Sequence, residues 1–142
     1  MIPDLHTMPK IGFGCMRLPL LDADDQTSID IDQFTQMVDA FLEGGGTYFD
    51  TAHVYHDGAS ENALGAALVK RHPRDSFTLA TKCLAWAEPD EKSAKANLET
   101  SLTRMGTDYI DYYLLHNVGG ERTAVFDSYG MWDYALQKKE EG

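Results

Sequence analysis

The chain has 142 residues, the length of one ordinary domain, and is 43% hydrophobic and 25% charged, as soluble globular proteins are. Its formal net charge of −11 gives an acidic surface that repels phosphate backbones, which argues against a general nucleic-acid-binding role. No apolar run reaches the roughly 18 residues of a membrane-spanning helix. Two cysteines, Cys15 and Cys83, are too few for a disulfide framework. We therefore expect a cytoplasmic protein with free thiols and no nucleic-acid or membrane partner.

The first part of the chain is predicted to contain two strand–helix units. A short apolar run at residues 11–15 is the first strand. Residues 28–46 form the first helix, because their apolar residues have helical spacing, a capping box begins at Asp30 and three glycines end the segment. Residues 47–52, rich in aromatic and β-branched side chains, form the second strand. A loop then leads to a second helix, for which Ser60 is the expected N-cap.

Two more strand–helix units follow. Residues 76–82 form the third strand and residues 90–106 the third helix, with its apolar residues on one side. Residues 109–116 form the fourth strand, and a single helix over residues 125–142 closes the chain. Strands and helices that alternate in this way predict parallel strands joined by right-handed helical crossovers.

Two architectures contain four such units: a small doubly wound sheet and part of a (β/α)8 barrel, which has about 250 residues when complete. A doubly wound nucleotide site would place a glycine-rich phosphate loop directly between the first strand and the first helix. Gly12 and Gly14 are instead followed by a long loop that contains a proline, which favours the barrel. We therefore predict an α/β fold in which residues 1–142 form a single domain of four βα units, the N-terminal half of a (β/α)8 TIM barrel.

Polar residues end three successive predicted strands. These residues are Asp50, Lys82 and His116, and Tyr55 lies in the loop after the second strand. In a parallel array all of these positions fall on the C-terminal rim, where barrel enzymes carry their catalytic groups. Taken singly, Asp50 could be a rim cap, Tyr55 a packing residue and His116 a core histidine, whereas a lysine after an apolar run needs a partner. The four together indicate a site.

These four side chains suit acid–base chemistry at a carbonyl group. A tyrosine hydroxyl is a weak acid at neutral pH, and a lysine ammonium beside it would stabilise the phenolate. Asp50 could hold Lys82, and His116 could orient or polarise a carbonyl oxygen. Such a site protonates the carbonyl oxygen while hydride reaches the carbon. Since no side chain donates hydride, a nicotinamide cofactor is implied.

Four segments of the sequence resemble the aldo-keto reductase family. They read GFGCMRLP, YFDTAHVYHDGASENALGAAL, LATK and MGTDYIDYYLLH, and the resemblance runs from about Lys10 to the C-terminus. The most specific part is D-T-A-x-x-Y followed by G-x-S-E-x-x-L-G. GFGCMRLP and LLHNVGG are also similar to bacterial members that carry a ferredoxin-like C-terminal extension, whose iron–sulfur cysteine cluster is absent from this sequence.

The resemblance implies a (β/α)8 barrel that binds NADPH, or NADH, across its C-terminal rim and reduces an aldehyde or ketone to an alcohol. It implies that Tyr55 is the general acid, that Lys82 and Asp50 tune it, and that His116 orients the small-molecule carbonyl substrate.

The resemblance also implies where the two ligands bind. The residues implied to lie against the cofactor are Cys15, Met16, Arg17 and Asp50. Trp86 is a candidate wall of the substrate pocket beside His116, although as a loop aromatic it could equally cover the rim.

The sequence ends where a family member would enter its fifth strand. We therefore expect a truncated form with reduced or no activity. A half barrel would leave two sheet edges and an apolar face open, so we expect self-association through the open edges. An open sheet formed by one chain is the other possibility.

Two other functions stay open. The chain could be a metal-dependent barrel hydrolase, with zinc ligands drawn from Asp50, His53, His56 and His116. The irregular spacing of the two loop histidines argues against it, and so does the lack of a purpose for Lys82 and Tyr55; we therefore predict no metal site. The chain could also be a non-catalytic, self-associating half-barrel module that keeps the rim residues by descent.

Overall fold

The chain is built around a sheet of four parallel strands in sequential order. The structure, a computed structural model, describes His6, Thr7 and residues 9–142. The strands are Gly12–Gly14 (β1), Tyr48–Asp50 (β2), Thr78–Cys83 (β3) and Tyr112–Leu115 (β4). The helices are Ile31–Glu43 (α1), Ala59–Leu64 (α2), Glu91–Met105 (α3), Glu121–Ser128 (α4) and Met131–Glu141 (α5). Because all four strands run in one direction, their carboxyl ends meet at one edge of the sheet.

The predicted alternation of strands and helices is confirmed, with strand ends that differ by a few residues. The Asp30 carboxylate caps α1 as predicted, since it accepts a hydrogen bond from the backbone N–H of Gln33 at 2.9 Å. Two local predictions are wrong. The closing helix is two helices, because Gly130 has a left-handed φ of 60° between α4 and α5. The N-cap of α2 is Gly58, and Ser60 lies in the first turn.

Aromatic rings hold α1 against one face of the sheet. Phe13 of β1 and Phe49 of β2 stack with their ring centroids 5.6 Å apart. From α1, Phe34 packs on Phe13 at 5.8 Å and Phe41 packs on Phe49 at 5.2 Å. Such pairs contribute about 0.5–1.5 kcal/mol each beyond the burial of their surface. The cluster gives the short strands β1 and β2 a rigid support.

The second helix packs so closely on α3 that it needs a glycine. A Cβ atom at Gly65 would lie 2.8 Å from the carbonyl oxygen of Met105 and 2.9 Å from that of Arg104. The absence of a side chain lets α2, and the π-helical turn Gly65–Val69 that continues it, approach the end of α3 directly. This contact brings Glu61 of α2 beside Arg104 of α3.

A second apolar cluster supports the turn that follows β3. It contains buried residues from β3, α3, α4 and α5, namely Cys83, Ala94, Phe126 and Met131, together with Ala85. Trp86, in the 3-10 turn Ala85–Ala87, packs against this cluster from the side. The cluster therefore places Trp86 near the end of β4.

The sheet face opposite α1 carries the remaining side chains of the strands. Tyr48 of β2 and Tyr112 of β4 are half-buried there with ring centroids 5.9 Å apart, and Leu114 is 38% exposed. In the described sheet β1 and β4 each have one strand neighbour. None of the helices in the described ranges is long and apolar enough to cross a membrane.

Candidate active site

The structure brings the predicted strand-end residues together at the carboxyl edge of the sheet. Asp50 is the last residue of β2, Lys82 is the penultimate residue of β3, and His116 directly follows β4. The register pairs Asp50 with Ala80 and Lys82 with Leu114. This register sets Asp50 and Lys82 on the same face of the sheet, because side chains alternate along a strand.

The Lys82 ammonium is the centre of the site. Its Nζ lies 2.5 Å from Asp50 Oδ1, 2.7 Å from the backbone oxygen of Thr51 and 3.3 Å from Tyr55 Oη. An ammonium group has three donors, so these oxygens can satisfy all of them. The lysine side chain is 12% exposed and that of Asp50 29%. The expectation that Lys82 needs a partner is thus met by Asp50, which also fixes the ammonium beside the tyrosine hydroxyl.

His116 completes the rim on the far side of Tyr55. The two rings meet edge to face, with centroids 5.9 Å apart and an interplanar angle of 85°. Trp86 lies beyond, with its ring centroid 6.5 Å from that of His116, and its indole N–H donates to the His116 backbone oxygen at 2.8 Å. The buried His116 Nδ1 has no hydrogen-bond partner among the described residues. His116 and Trp86 thus line the rim beside Tyr55.

The environment of His116 favours its neutral form. Burial lowers the pKa of the imidazole below its usual value, and the nearby Lys82 ammonium lowers it further. Asp50 acts in the opposite direction, whereas the guanidinium of Arg122 adds to the lowering. A neutral imidazole has one donor and one acceptor nitrogen, so His116 can donate a hydrogen bond to a carbonyl oxygen near pH 7.

We expect the protein to lose stability when the pH falls below about 6.5, the usual pKa of histidine. Burial is the main cause of a lowered pKa at both His53 and His116. As the pH falls, the unfolded chain therefore takes up protons at these two histidines at a higher pH than the folded chain does. The contribution of the two neutral histidines to the free energy of unfolding is fully present above about pH 6.5. It decreases as the pH falls from there toward the lowered pKa values of the folded chain.

Urea unfolding at several pH values between about 7.5 and 5.5 measures this effect, and the range stays above the usual carboxylate titration. A His116→Asn variant should show a weaker pH dependence than the unchanged protein. Identical pH profiles for the two proteins would contradict the assignment to His116.

The loop after β1 supplies three of the four residues predicted to contact a cofactor. Cys15 is fully buried, and its backbone N–H donates to the backbone oxygen of Asp50 at 2.8 Å. Burial raises the pKa of its thiol to about 12. Met16 is 56% exposed and Arg17 is also exposed. The side chains of Met16 and Arg17 are therefore accessible to a ligand, whereas Cys15 holds the loop to the end of β2.

The two loop histidines of the zinc hypothesis, His53 and His56, have partners other than Asp50. His56 is buried, and both of its ring nitrogens are bonded within the protein, to the backbone N–H of Leu18 and the backbone oxygen of Gln26. His53 faces Arg104, whose guanidinium lies 3.5 Å from its Nδ1. In the ranges that the structure describes, no three His, Cys, Asp or Glu side chains are grouped to hold a metal ion.

A buried charged network, which the sequence patterns do not predict, lies behind Tyr55. Glu61 is fully buried, accepts from the Thr81 hydroxyl at 2.7 Å and pairs with Arg104 at 3.1 Å. Arg104 also donates to the backbone oxygen of His53 at 3.1 Å, two residues before Tyr55. The network thus joins β3, α2 and α3 to the loop that carries Tyr55. In the sequence, the only sign of this network is that Glu61 is the glutamate of the G-x-S-E-x-x-L-G pattern.

The aldo/keto reductase family model matches residues 10–137. The chain belongs to the aldo/keto reductase family. An aldo-keto reductase of Mycolicibacterium smegmatis is 34% identical over 142 residues, which cover 98% of this chain and 43% of the relative. The chain spans less than half the length of this curated relative.

Solved structures of aldo-keto reductases superpose on the same part of the chain. One from Klebsiella pneumoniae, in complex with NADPH, is 30% identical and covers 85% of this chain and 41% of its own, with a TM-score of 0.62. One from Pseudomonas aeruginosa, 23% identical, covers 92% and 51% with a TM-score of 0.73, and this likeness concerns the fold alone. This aldo/keto reductase chain therefore has four βα units that correspond to the N-terminal half of a (β/α)8 barrel, as predicted.

Proposed function

We propose that this aldo/keto reductase chain carries the acid–base half of a carbonyl-reducing site that uses NADPH or NADH. One observation carries the proposal: the Lys82 ammonium, paired with Asp50, lies 3.3 Å from the Tyr55 hydroxyl. A phenol at the end of this chain of contacts can give up its proton to a carbonyl oxygen while a cation stabilises the charge left behind. The substrate class is a small molecule with an aldehyde or ketone group.

Each of the four rim residues has one role in this proposal. Tyr55 is the general acid, and Lys82 stabilises its developing phenolate. Asp50 holds Lys82 and offsets the cost of a lysine that is only 12% exposed. His116 donates a hydrogen bond that orients the substrate carbonyl, for which its neutral form is suited. Trp86 forms the adjoining wall of the substrate pocket.

The nicotinamide cofactor supplies hydride to the carbonyl carbon when it is bound. Residues of this chain that would contact it are Asp50 and the exposed Met16 and Arg17. Arg17 brings a positive charge to a chain of net charge −11, which suits an anionic cofactor. The NADPH complex of the Klebsiella pneumoniae relative supports this cofactor class.

The active site of a barrel is assembled from the eight βα loops around its rim. Residues 1–142, which we take as a single half-barrel domain, have four strands and so supply four of these loops. The proposal includes an activity of this chain alone that is measurable but lower than that of a whole barrel. The second candidate function is a non-catalytic, self-associating module. It is favoured by β1 and β4, each of which has one strand neighbour in the described sheet and could pair with another chain. A cytoplasmic location is supported by Cys15 and Cys83, which are both free thiols.

Titration of the purified chain with NADPH and NADH tests the two candidates. We expect the cofactor to raise the melting temperature and to change its own fluorescence, and an aldehyde panel to give measurable oxidation of the bound cofactor. Light scattering on the same samples reports the molecular mass. If neither cofactor changes fluorescence or melting temperature, the catalytic proposal is contradicted. A mass of two chains in that case would favour the module.

A further inference from the structure

We propose that His56 is a positioning residue that connects the loop between β1 and α1 to the segment that carries Tyr55. This inference rests on the proposed function for its effect on reduction, but its structural part can be tested without turnover. We name the loop between β1 and α1, residues 15–30, the cofactor loop because it contains Met16 and Arg17.

His56 follows Tyr55 directly, yet its side chain is buried beneath the cofactor loop, with 7% exposed. Its Nε2 accepts from the backbone N–H of Leu18 at 3.0 Å. Its Nδ1 lies 2.9 Å from the backbone oxygen of Gln26. Because a neutral imidazole has one acceptor and one donor, the bond from Leu18 requires the proton to be on Nδ1, which donates to Gln26. One ring in one tautomer therefore makes both bonds.

The two partners of His56 lie on opposite arms of the cofactor loop. The loop turns back on itself through an isolated antiparallel bridge between Leu20 and Ile29 and a hydrogen bond from the Asp30 N–H to the oxygen of Pro19. Leu18 is on the first arm and Gln26 is on the returning arm. The imidazole thus binds both arms at once and limits their movement relative to Tyr55.

The backbone beside Tyr55 adopts a conformation that L-residues avoid. His56 has a φ of 53° and Asp57 a φ of 52°, and Gly58 follows at 89°. Two successive non-glycine residues in the left-handed region are unfavourable and persist where other contacts hold them. For His56 the holding contacts are its two ring hydrogen bonds. The left-handed turn is what directs the His56 ring to the cofactor loop.

The start of the cofactor loop has a separate attachment. The Ser60 hydroxyl, itself 2.9 Å from that of Thr51, donates to the backbone oxygen of Cys15 at 3.1 Å. His56 holds the loop farther along. Loss of the His56 ring should therefore leave Cys15 attached through the Ser60 hydroxyl and through its own N–H to Asp50, while the rest of the loop, from Met16 onward, opens more often. In the proposed site, that opening would vary the distance between Tyr55 and the residues that contact the cofactor.

The test compares His56→Ala with Asp57→Ala. Both variants place alanine at a φ near 52–53°, so they share the backbone strain. Asp57 is exposed and makes no side-chain hydrogen bond to the residues described, so the second variant keeps the His56 ring bonds. His56→Asn is the third variant, because asparagine tolerates the left-handed region but is too short to reach both arms. If His56→Ala does not fold, His56→Asn is compared with Asp57→Ala in its place.

The main readout is the rate at which a thiol reagent labels Cys15 in the native chain, measured by peptide mass spectrometry. Cys83 is buried in the other apolar cluster and serves as the internal reference. We expect roughly tenfold faster labelling of Cys15 in His56→Ala and His56→Asn than in Asp57→Ala, since two hydrogen bonds that oppose local opening are lost. Labelling of Cys83 should be unchanged. Equal Cys15 rates in the three variants would overturn the connection.

Kinetics separate a positioning role from a purely structural one. In a preparation that oxidises NADPH, we expect His56→Asn to raise the KM for NADPH severalfold with a smaller change in kcat, and Asp57→Ala to change neither. An unchanged KM together with faster Cys15 labelling would overturn the positioning role. If the unchanged protein binds no cofactor, the proposed function fails, whereas the labelling result still decides whether His56 holds the loop.

Discussion

Replacing Tyr55 with phenylalanine is expected to lower the rate of carbonyl reduction by roughly 100- to 10,000-fold, the usual contribution of a general acid. Phenylalanine keeps the ring that meets His116 at 5.9 Å but removes the hydroxyl that lies 3.3 Å from Lys82 Nζ. The Lys82–Asp50 pair stays in place, so folding should be nearly unchanged. The measurement is kcat for NADPH oxidation with the best aldehyde of a panel, together with a urea unfolding curve.

Tyr109→Phe is the matched control for this substitution. Tyr109 precedes β4 and lies at the opposite edge of the sheet, where its ring packs beneath the Arg74 guanidinium at 3.8 Å. It loses the same hydroxyl group but should keep full activity. The Tyr55→Phe protein should also bind NADPH as well as the unchanged protein does. Equal turnover in Tyr55→Phe and Tyr109→Phe would remove Tyr55 from the role of general acid.

The rim residues could be predicted from the sequence because strand order decides their position. Strands that alternate with helices are parallel, and the carboxyl ends of parallel strands share one edge. Asp50, Lys82 and His116 each end an apolar run, so their neighbourhood follows from topology without any knowledge of loops. The direction of the Lys82 ammonium also follows, since a buried cation requires an anionic or polar partner and Asp50 is on the adjacent strand.

Loop conformations could not be predicted in the same way. His56 is a candidate metal ligand by sequence but a loop-binding residue in the structure. Its side-chain direction depends on a left-handed φ, which no periodicity in the sequence shows. The break between α4 and α5 is similar: apolar spacing from Val125 to Leu136 is regular across Gly130, and the left-handed glycine separates the helices all the same. In both cases one backbone dihedral angle outweighs the pattern of side chains.

Glu61 shows a second reason why prediction fails, which is that the burial of a charge depends on distant partners. A glutamate in a helix is ordinarily exposed, and the sequence around Glu61 does not indicate otherwise. It is fully buried because Thr81 and Arg104, which are 20 and 43 residues away, bring a hydroxyl donor and a cation to its two carboxylate oxygens. The G-x-S-E-x-x-L-G pattern singles out Glu61, but nothing within α2 reveals which distant residues pair with it.

Glu61→Ala is therefore expected to reduce the free energy of unfolding by about 3 kcal/mol, the lower end of the range for removing one partner of a buried ion pair. The lower end applies because Arg104 is 27% exposed and can be partly hydrated after the loss of its partner. The substitution also leaves the buried Thr81 hydroxyl without its acceptor. Urea unfolding of the variant and the unchanged protein measures the difference.

Two controls separate the buried network from a general effect of losing a glutamate. Glu91→Ala removes a surface carboxylate, 56% exposed and paired with Lys95 in the next turn, and should cost no more than about 0.5 kcal/mol. Glu61→Gln keeps an oxygen acceptor for Thr81 but removes the charge that faces Arg104, so its loss should lie between the two alanine variants. If Glu61→Ala were no more destabilising than Glu91→Ala, the network would not support the Tyr55 loop. Arg104 also donates to the backbone oxygen of His53, two residues before Tyr55. Loss of the Glu61–Arg104 pair should therefore disturb the position of Tyr55, and Glu61→Ala should slow carbonyl reduction more than Glu91→Ala does.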